Sequence, residues 1–369
     1  MVFDLVTVKS IEEVDIEEWD SLSRSLFSSS NWFRVVEESK IIKTKPYYIR
    51  VYCNGELSAF ASAFIQYDEL YSNLSQGLLG TFNWLSPFKL NPCLLCYSPM
   101  SWGRGIEIKN TYKAYSAEIA SLIIEEMRCI CHANRVKQYG FANIQDKDFL
   151  LQEILLKQGF VSCFTSYNVY MDITWPDFES YRKSLSRNAR KTVRKEIEKI
   201  NEMGIKISMS KTIDRHEIVP LIENTFLKYN SGENKLTDRF FYVLEKHLGD
   251  QIMVISATLN ESIFSTCLCF VTENAIELYK SGQDEDKSRE NFVFFSTAVY
   301  EPIRYAISSG IERINIGVGT YKYKILRGGK TTSNKVYLKS TSRLKQTVCN
   351  YVVPVLSTIK KNKHDAMMP

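Results

Sequence analysis

Residues 251–282, QIMVISATLNESIFSTCLCFVTENAIELYKSG, hold three strand-length apolar runs in immediate succession. The turns Asn260-Glu261 and Glu273-Asn274 separate them, and runs joined this tightly pair as an antiparallel meander. A helical pattern follows at ENFVFFSTAVYEPIRYAISSG, then a strand at ERINIG and another at KVYLKS. Strands interrupted by a helix exclude a helical bundle and commit this half to an α/β layer, a sheet with helices packed on it.

The upstream half repeats that architecture without repeating its sequence. IEEVDIEEWDSLSRSL reads as an acidic helix, and PYYIRVYCNGELSAFASAFIQ as two strands about Asn54-Gly55. Tyr71 to Arg104, rich in Gly, Pro and aromatics, reads as irregular with short strands. YSAEIASLIIEEMRCICHANR is a helix, apolar at Ile119, Leu122, Ile123, Met127 and Ile130. A strand QYGFANI, a helix over 147–158 closing on Gly159, and a strand VYMDI complete the half. A chain of 369 residues exceeds one ordinary core. The division expected is 1–170 and 171–345, with 346–369, ending in KKNKHD, as a fraying tail.

The net charge of +5 is compatible with a phosphate-bearing ligand but well short of a dedicated nucleic-acid binder, so no DNA partner is expected. The acidic N-terminal stretch lacks a signal-peptide pattern, and no apolar run approaches the ~20 residues that span a bilayer, so a cytoplasmic location is expected. Nine cysteines and four histidines show no paired knuckles of zinc-site spacing, and no metal is expected. Cys267 and Cys269, inside an apolar strand, read as small hydrophobes. No Ser-His-Asp or Cys-His set, P-loop, dinucleotide fingerprint or HExxH is evident, which favours direct transfer over a covalent enzyme intermediate.

Three stretches then carry a resemblance, in order: SLSRNARKTVRKEIEKINEMGIKI, AIELYKSGQDEDKSRENFVFFSTAVYEPIRYAISSGIERINIG and GVGTYKYKILRGG. Over roughly residues 175–340 the chain resembles the FemAB-like and GNAT-fold acyltransferases, in particular the acetyltransferase-6 type of cellulose- and polysaccharide-related enzymes. The resemblance implies two tandem GNAT-like domains with mixed, mostly antiparallel sheets flanked by helices. It implies an N-acyltransferase in which an amine on a sugar, amino acid or peptide attacks an acyl thioester of CoA or a carrier protein. The family's other donor is aminoacyl-tRNA, used to form a peptide bond; a non-catalytic phosphate- or polysaccharide-binding module is a further possibility. No tightly bound cofactor is implied, only acyl-CoA or aminoacyl-tRNA as co-substrate. The Q/RxxGxG/A phosphate loop of simple acetyl-CoA enzymes is absent, and so is the long coiled-coil arm of many cell-wall Fem ligases.

The residues themselves suggest where chemistry would lie. Ser281-Gly282 allows a tight exit from the third meander strand, and Ser288 is a candidate helix N-cap with Asn291 three residues on. A helix start suits a phosphate, with Lys280, Lys287 and Arg289 adding charge, although an ordinary solvated loop uses the same residues. In GVGTYKYKILRGGK, Gly317 and Gly319 permit close backbone approach, while Lys322, Lys324, Arg327 and Lys330 concentrate cations. Read as extended, the segment puts Lys322 and Lys324 opposite Tyr321 and Tyr323; a basic hairpin with aromatic packing is the alternative.

A helix read over 181–199 aligns Arg187, Arg190, Lys191, Arg194 and Lys195 for a polyanion: tRNA, the CoA 3′-phosphate or an undecaprenyl-linked substrate. A solvated face with internal pairs such as Lys195–Glu198 accounts for the same pattern. Acyl transfer needs a base and a donor to the oxyanion. Glu277 is the candidate base, Tyr279 or Tyr323 the acid for the leaving group, and Lys280 and Lys324 the oxyanion or phosphate partners. An edge-strand Glu277 facing solvent fits the same sequence.

Overall fold

The computed structural model describes residues 1–67, 92–229, 236–288 and 293–369. They form two compact units, Met1–Ser166 with Ser333–Ala366, and Tyr167–Thr332 with Met367–Pro369.

In the first unit, strands β1 (Phe3–Val8), β2 (Thr44–Cys53), β3 (Glu56–Gln66), β4 (Cys93–Cys96), β6 (Gln138–Gln145) and β13 (Lys330–Ser340) lie in that order, with β5 (Ile106–Ile108) against β3. Asn54 and Gly55 both take positive φ, 53° and 80°, so β2 and β3 join through the two-residue turn whose twist matches the strands. Helix α1 spans Ile16–Leu22, shorter than expected, and a second helix, α2 (Ser30–Ser39), follows on the Ser29 cap. Helix α3 (Ser116–Ala133) buries Ile119, Ile123, Met127 and Ile130 along one stripe, each fully buried apolar side chain stabilising the unit by roughly 1.5–3 kcal/mol. Helix α4 (Phe149–Lys157) leads to Gly159 at φ 80°.

The second unit begins within β7 (Val161–Asp172) and orders its strands β7, β12 (Arg313–Gly317), β11 (Ala275–Gln283), β10 (Ser262–Val271), β9 (Ile252–Leu259) and β8 (Lys206–Ser210). The meander is present as read, antiparallel through β9, β10 and β11. The helix expected across 181–199 is two helices, α5 (Phe178–Ser184) and α6 (Arg187–Glu202). Ser186 interrupts them because its side chain accepts from the Ala189 amide at 3.3 Å and starts a new helix. Helices α7 (Arg215–Tyr229) and α8 (Asp238–Leu248) follow. Gly282 does not turn the chain out of the sheet: it lies within β11, and a Cβ there would meet the Ile222 amide nitrogen at 2.3 Å. Its missing side chain lets the α7 backbone lie directly on the strand.

After one helical turn at Glu285–Ser288, a π turn at Ser296–Tyr300 leads into α9 (Glu301–Ser309), which ends on Gly310 at φ 69°. GVGTYKYK is not extended. Tyr321–Leu326 form a short helix, α10, so Tyr321 and Lys324, three residues apart, turn inward while Lys322 and Tyr323 face solvent. The expected tail is also corrected: Arg343–Asp365 are a continuous helix, α11, whose buried Cys349 and Val353 anchor it in the first unit, to which residues 333–345 belong as well. The nine cysteines are free thiols, all buried except Cys129.

Candidate functional site

Among the described residues the second unit has one parallel strand pair, β11 with β12, in register only over Ala275–Glu277 and Arg313–Asn315. Immediately beyond, both strands bulge. Tyr279 is the extra residue of β11 between Leu278 and Lys280 in its pairing with β10, and Ile316 is skipped where β12 pairs β7. Bulges bend strands and re-aim side chains, so two parallel neighbours that bulge at the same level part from one another. At the last paired level the Asn315 amide donates to Glu277 Oε1 at 2.6 Å. Glu277 is half-buried.

The bulge sets Lys280 beside Tyr279, its ammonium 4.9 Å from the ring centre, and burial draws its pKa down to about 8. Tyr279 in turn packs on Phe270 and Phe240. On the other strand, Lys324 is buried and donates to the carbonyls of Ile316 at 3.1 Å, Gly317 at 3.4 Å and Val318 at 2.9 Å. Three N–H groups meet three acceptors, so this lysine acts as an anchor for the turn after β12. Burial lowers its pKa to about 7. Gly317, Gly319 and Thr320 all take positive φ in that turn, and a side chain at Gly319 would meet open space.

Other sequence candidates lie elsewhere. Arg327 is no surface clamp: it is buried, paired with Glu196, and donates to Tyr300 Oη at 2.8 Å and the Tyr323 carbonyl at 2.9 Å, with Phe295 stacked 3.5 Å away. Tyr300 also donates to Glu196, and burial raises its pKa far above the ordinary value. A buried Arg–Glu–Tyr cluster therefore ties α6 to the segment after α10. Glu196 was missed as a structural centre, although Ala189, Val193, Glu196 and Ile200 recur at helical spacing and all four are buried.

Arg187, Arg190, Lys191, Arg194 and Lys195 are exposed on α6. Arg190 caps α5 through the Lys183 and Leu185 carbonyls at 3.1 and 3.2 Å, and Arg194 faces Glu198 at 3.5 Å. Arg187, Lys191 and Lys195 have no ion pair among the described residues. Tyr323 is 54% exposed and Lys322 is exposed beside it. The helical turn at 285–288 is capped by Asp284, which accepts from the Asp286 and Lys287 amides at 3.1 and 3.3 Å; Ser288 is its last residue. The Ser288 side chain, Arg289 and Asn291 lie outside the described residues.

Against this geometry, the profile of the FemAB-like family, described as peptidoglycan biosynthesis/recognition, matches residues 10–368. The chain belongs to the FemAB-like family. Its fold is that of GNAT/Fem-type proteins. The FemAB-like chain is similar in fold to the crystal structure of FemX, with a TM-score of 0.60, 12% identity, and coverage of 94% of this chain and 99% of the other. It is similar to a tandem GNAT protein from the clavulanic acid biosynthesis pathway, solved without acetyl-CoA (TM-score 0.56, 7% identity, coverage 92% and 99%). It is similar to L-PGS from Bacillus licheniformis (TM-score 0.52, 8% identity, coverage 95% and 98%). No curated protein sequence matches it. The expected fold, tandem GNAT-like units with mostly antiparallel sheets, is borne out. No described helix is long and apolar enough to cross a membrane.

Proposed function

We propose that this FemAB-like chain is an N-acyltransferase in which an amine attacks an activated acyl donor directly. The observation that carries the reading is the parting of β11 from β12 just past Glu277 and Asn315, with Lys280 and Lys324 beyond. Glu277 takes the ammonium proton, directly or through water, and the freed amine adds to the donor carbonyl. Lys280 steadies the tetrahedral oxyanion, while Lys324 keeps the β12 turn in place by holding its carbonyls. Collapse expels the leaving group, which takes a proton from Tyr279 or Tyr323, and the tyrosinate recovers one from the nitrogen of the new amide. The donor is a co-substrate, and no covalent enzyme intermediate or tightly bound cofactor is required.

An acyl thioester of CoA or a carrier protein is the first donor. Charged tRNA is the second, favoured by the exposed Arg187, Lys191 and Lys195 on α6, a stripe suited to a phosphate backbone. The family description favours a peptide or amino-sugar acceptor.

A thermal-shift titration with CoA and acetyl-CoA, using AMP as control, tests the donor. Saturation at about a hundredfold over Kd adds ~2.7 kcal/mol, a shift of roughly 5–11 °C. A shift with CoA alone supports the thioester; none, with RNase-sensitive transfer from charged tRNA, supports the second donor. Transfer that survives intact in Glu277→Gln overturns the assigned base. A protein that binds such ligands without turning any of them over is a binding module, and the enzymatic reading fails.

A further inference from the structure

Helix α11 is amphipathic in an unusual sense. Its inward stripe is fixed by buried Cys349 and Val353, by Ser357 Oγ accepting from the Phe164 amide at 2.9 Å, and by Gln346 donating to the Gly159 carbonyl at 3.3 Å. At 100° per residue the opposite face carries Leu344, Val348, Tyr351, Val355 and Ile359, interspersed with Thr347, Thr358 and Asn362. Up to Asn362 it holds no charged residue; Asp365, the helix's last residue, falls at its margin in line with Thr347. Leu344, Tyr351, Val355 and Ile359 are 75, 76, 58 and 60% exposed.

The cations sit at the borders of that face. Arg343 and Lys361 fall on one edge, Lys345 and Lys363 on the other, and no Asp or Glu occurs from Arg343 to His364. A helix whose outer side is meant only for water puts its charges in the middle of that side. An apolar band with a cation on each border at both ends instead matches an interface with acyl chains below and anionic headgroups at the edges. A second copy of the chain fits poorly. In a two-fold antiparallel pairing Arg343 and Lys345 of one helix would meet Lys361 and Lys363 of the other, like charge against like. The helix, ~35 Å long, would lie along such a surface, being too polar to cross it.

We propose that α11 docks the protein on an anionic lipid surface through Leu344, Tyr351, Val355 and Ile359, with Arg343, Lys345, Lys361 and Lys363 at headgroup level.

The full-length protein is sedimented with vesicles of phosphatidylcholine alone or with phosphatidylglycerol. The expected result is binding to the anionic vesicles only, weakened by 0.5 M NaCl. Both Val355→Glu/Ile359→Glu and Lys361→Glu/Lys363→Glu bind at least about tenfold more weakly, since each surface cation contributes about fivefold. These positions are exposed, so melting curves stay at the parental value, and Tyr351→Ser gives a smaller loss without adding charge. Absence of binding at low salt overturns the proposal. So does loss through Lys191→Glu on α6 while the α11 variants bind normally. A dimer in solution that Val355→Glu dissolves, without vesicle binding, assigns the face to a second copy and also overturns it.

Discussion

Among the described residues each unit shows one parallel strand pair, and the two pairs end differently. In the first unit all four residues of β4 pair with Gln138–Phe141 of β6, and the chain then folds back on itself. Tyr97 bridges to Arg104, the Ser98 amide donates to the Gly103 carbonyl at 3.1 Å, and Asn143 of β6 donates to the carbonyls of Ser101 and Gly103 at 3.3 and 3.1 Å. Past this pair lie the folded-back backbone and the ion pairs of Arg104 with Glu107 and Asp148. In the second unit the pair lasts three residues, both strands bulge, and the groups beyond are Glu277, Lys280 and the Lys324 anchor. At the first pair the charged groups are spent on one another, whereas at the second Glu277 and Lys280 lie where the strands part, which argues that chemistry belongs to the second unit.

The sharpest break between the two is kinetic. Glu277→Gln should cut turnover by roughly 10²–10⁴ with an unchanged melting curve, whereas Asn143→Ala should leave turnover intact. Equal losses of turnover in the two variants would dissolve the distinction.

Next in size is the buried cluster under the second unit's basic segment. Glu196→Ala strands Arg327 and should cost about 3–5 kcal/mol in urea unfolding. Replacing both partners, Glu196→Leu with Arg327→Met, should recover much of that. A double variant as unstable as the single one would mean the pair itself, not the orphaned charge, stabilises the unit.

Lys324 gives the second unit a pH signature. Its pKa is near 7 in the fold against an ordinary 10.5. Between those values the unfolded chain binds the extra proton, so its burial penalty is full below pH 7 and is relieved as pH rises toward 10.5. Stability should therefore climb over that window by up to about 1.4 kcal/mol per pH unit. Lys324→Met should take away its share of the climb, seen most cleanly between pH 7 and 8, while Lys280, lowered to about 8, keeps a slope above that; an unchanged slope between pH 7 and 8 would refute the assignment.

The smallest effect falls in the first unit. Asn143→Ala removes the amide that holds two carbonyls of the folded-back loop and should cost about 1–2 kcal/mol. A loss below about 0.3 kcal/mol would show that this loop is held by the Tyr97–Arg104 bridge without Asn143.

Much of the fold was legible because its signals are local. Asn54-Gly55, the Ile119 to Ile130 stripe and the three-strand meander each appear in the structure as their spacing requires. Where the reading failed, a short-range rule met a competitor of equal strength. Ser186 has the chemistry of an N-cap inside a cation-rich run, and it divided one expected helix into two. YKYK alternates like a strand, yet three carbonyls waiting for Lys324 and a pocket for Tyr321 favoured the helical i, i+3 spacing. The tail looked frayed because its cations cluster, but Cys349, Val353 and Ser357 give it an inward stripe.

The candidate site was legible as residue types and not as partners. Glu277 and Lys280 were named from their strand, whereas the bulge that brings Lys280 beside Tyr279 depends on register with β10. Arg327 belonged to the same cationic run as Lys322 and Lys324, but only packing decided that it would meet Glu196, 131 residues away. Hydrophobic period and turn chemistry act within a few residues, so the sequence by itself determined most of the elements, their order and the family. Charge partners, bulges and the direction of each cation are set by residues far apart in the chain, and burial turns a small geometric difference into a large electrostatic one. Those the tertiary structure decided.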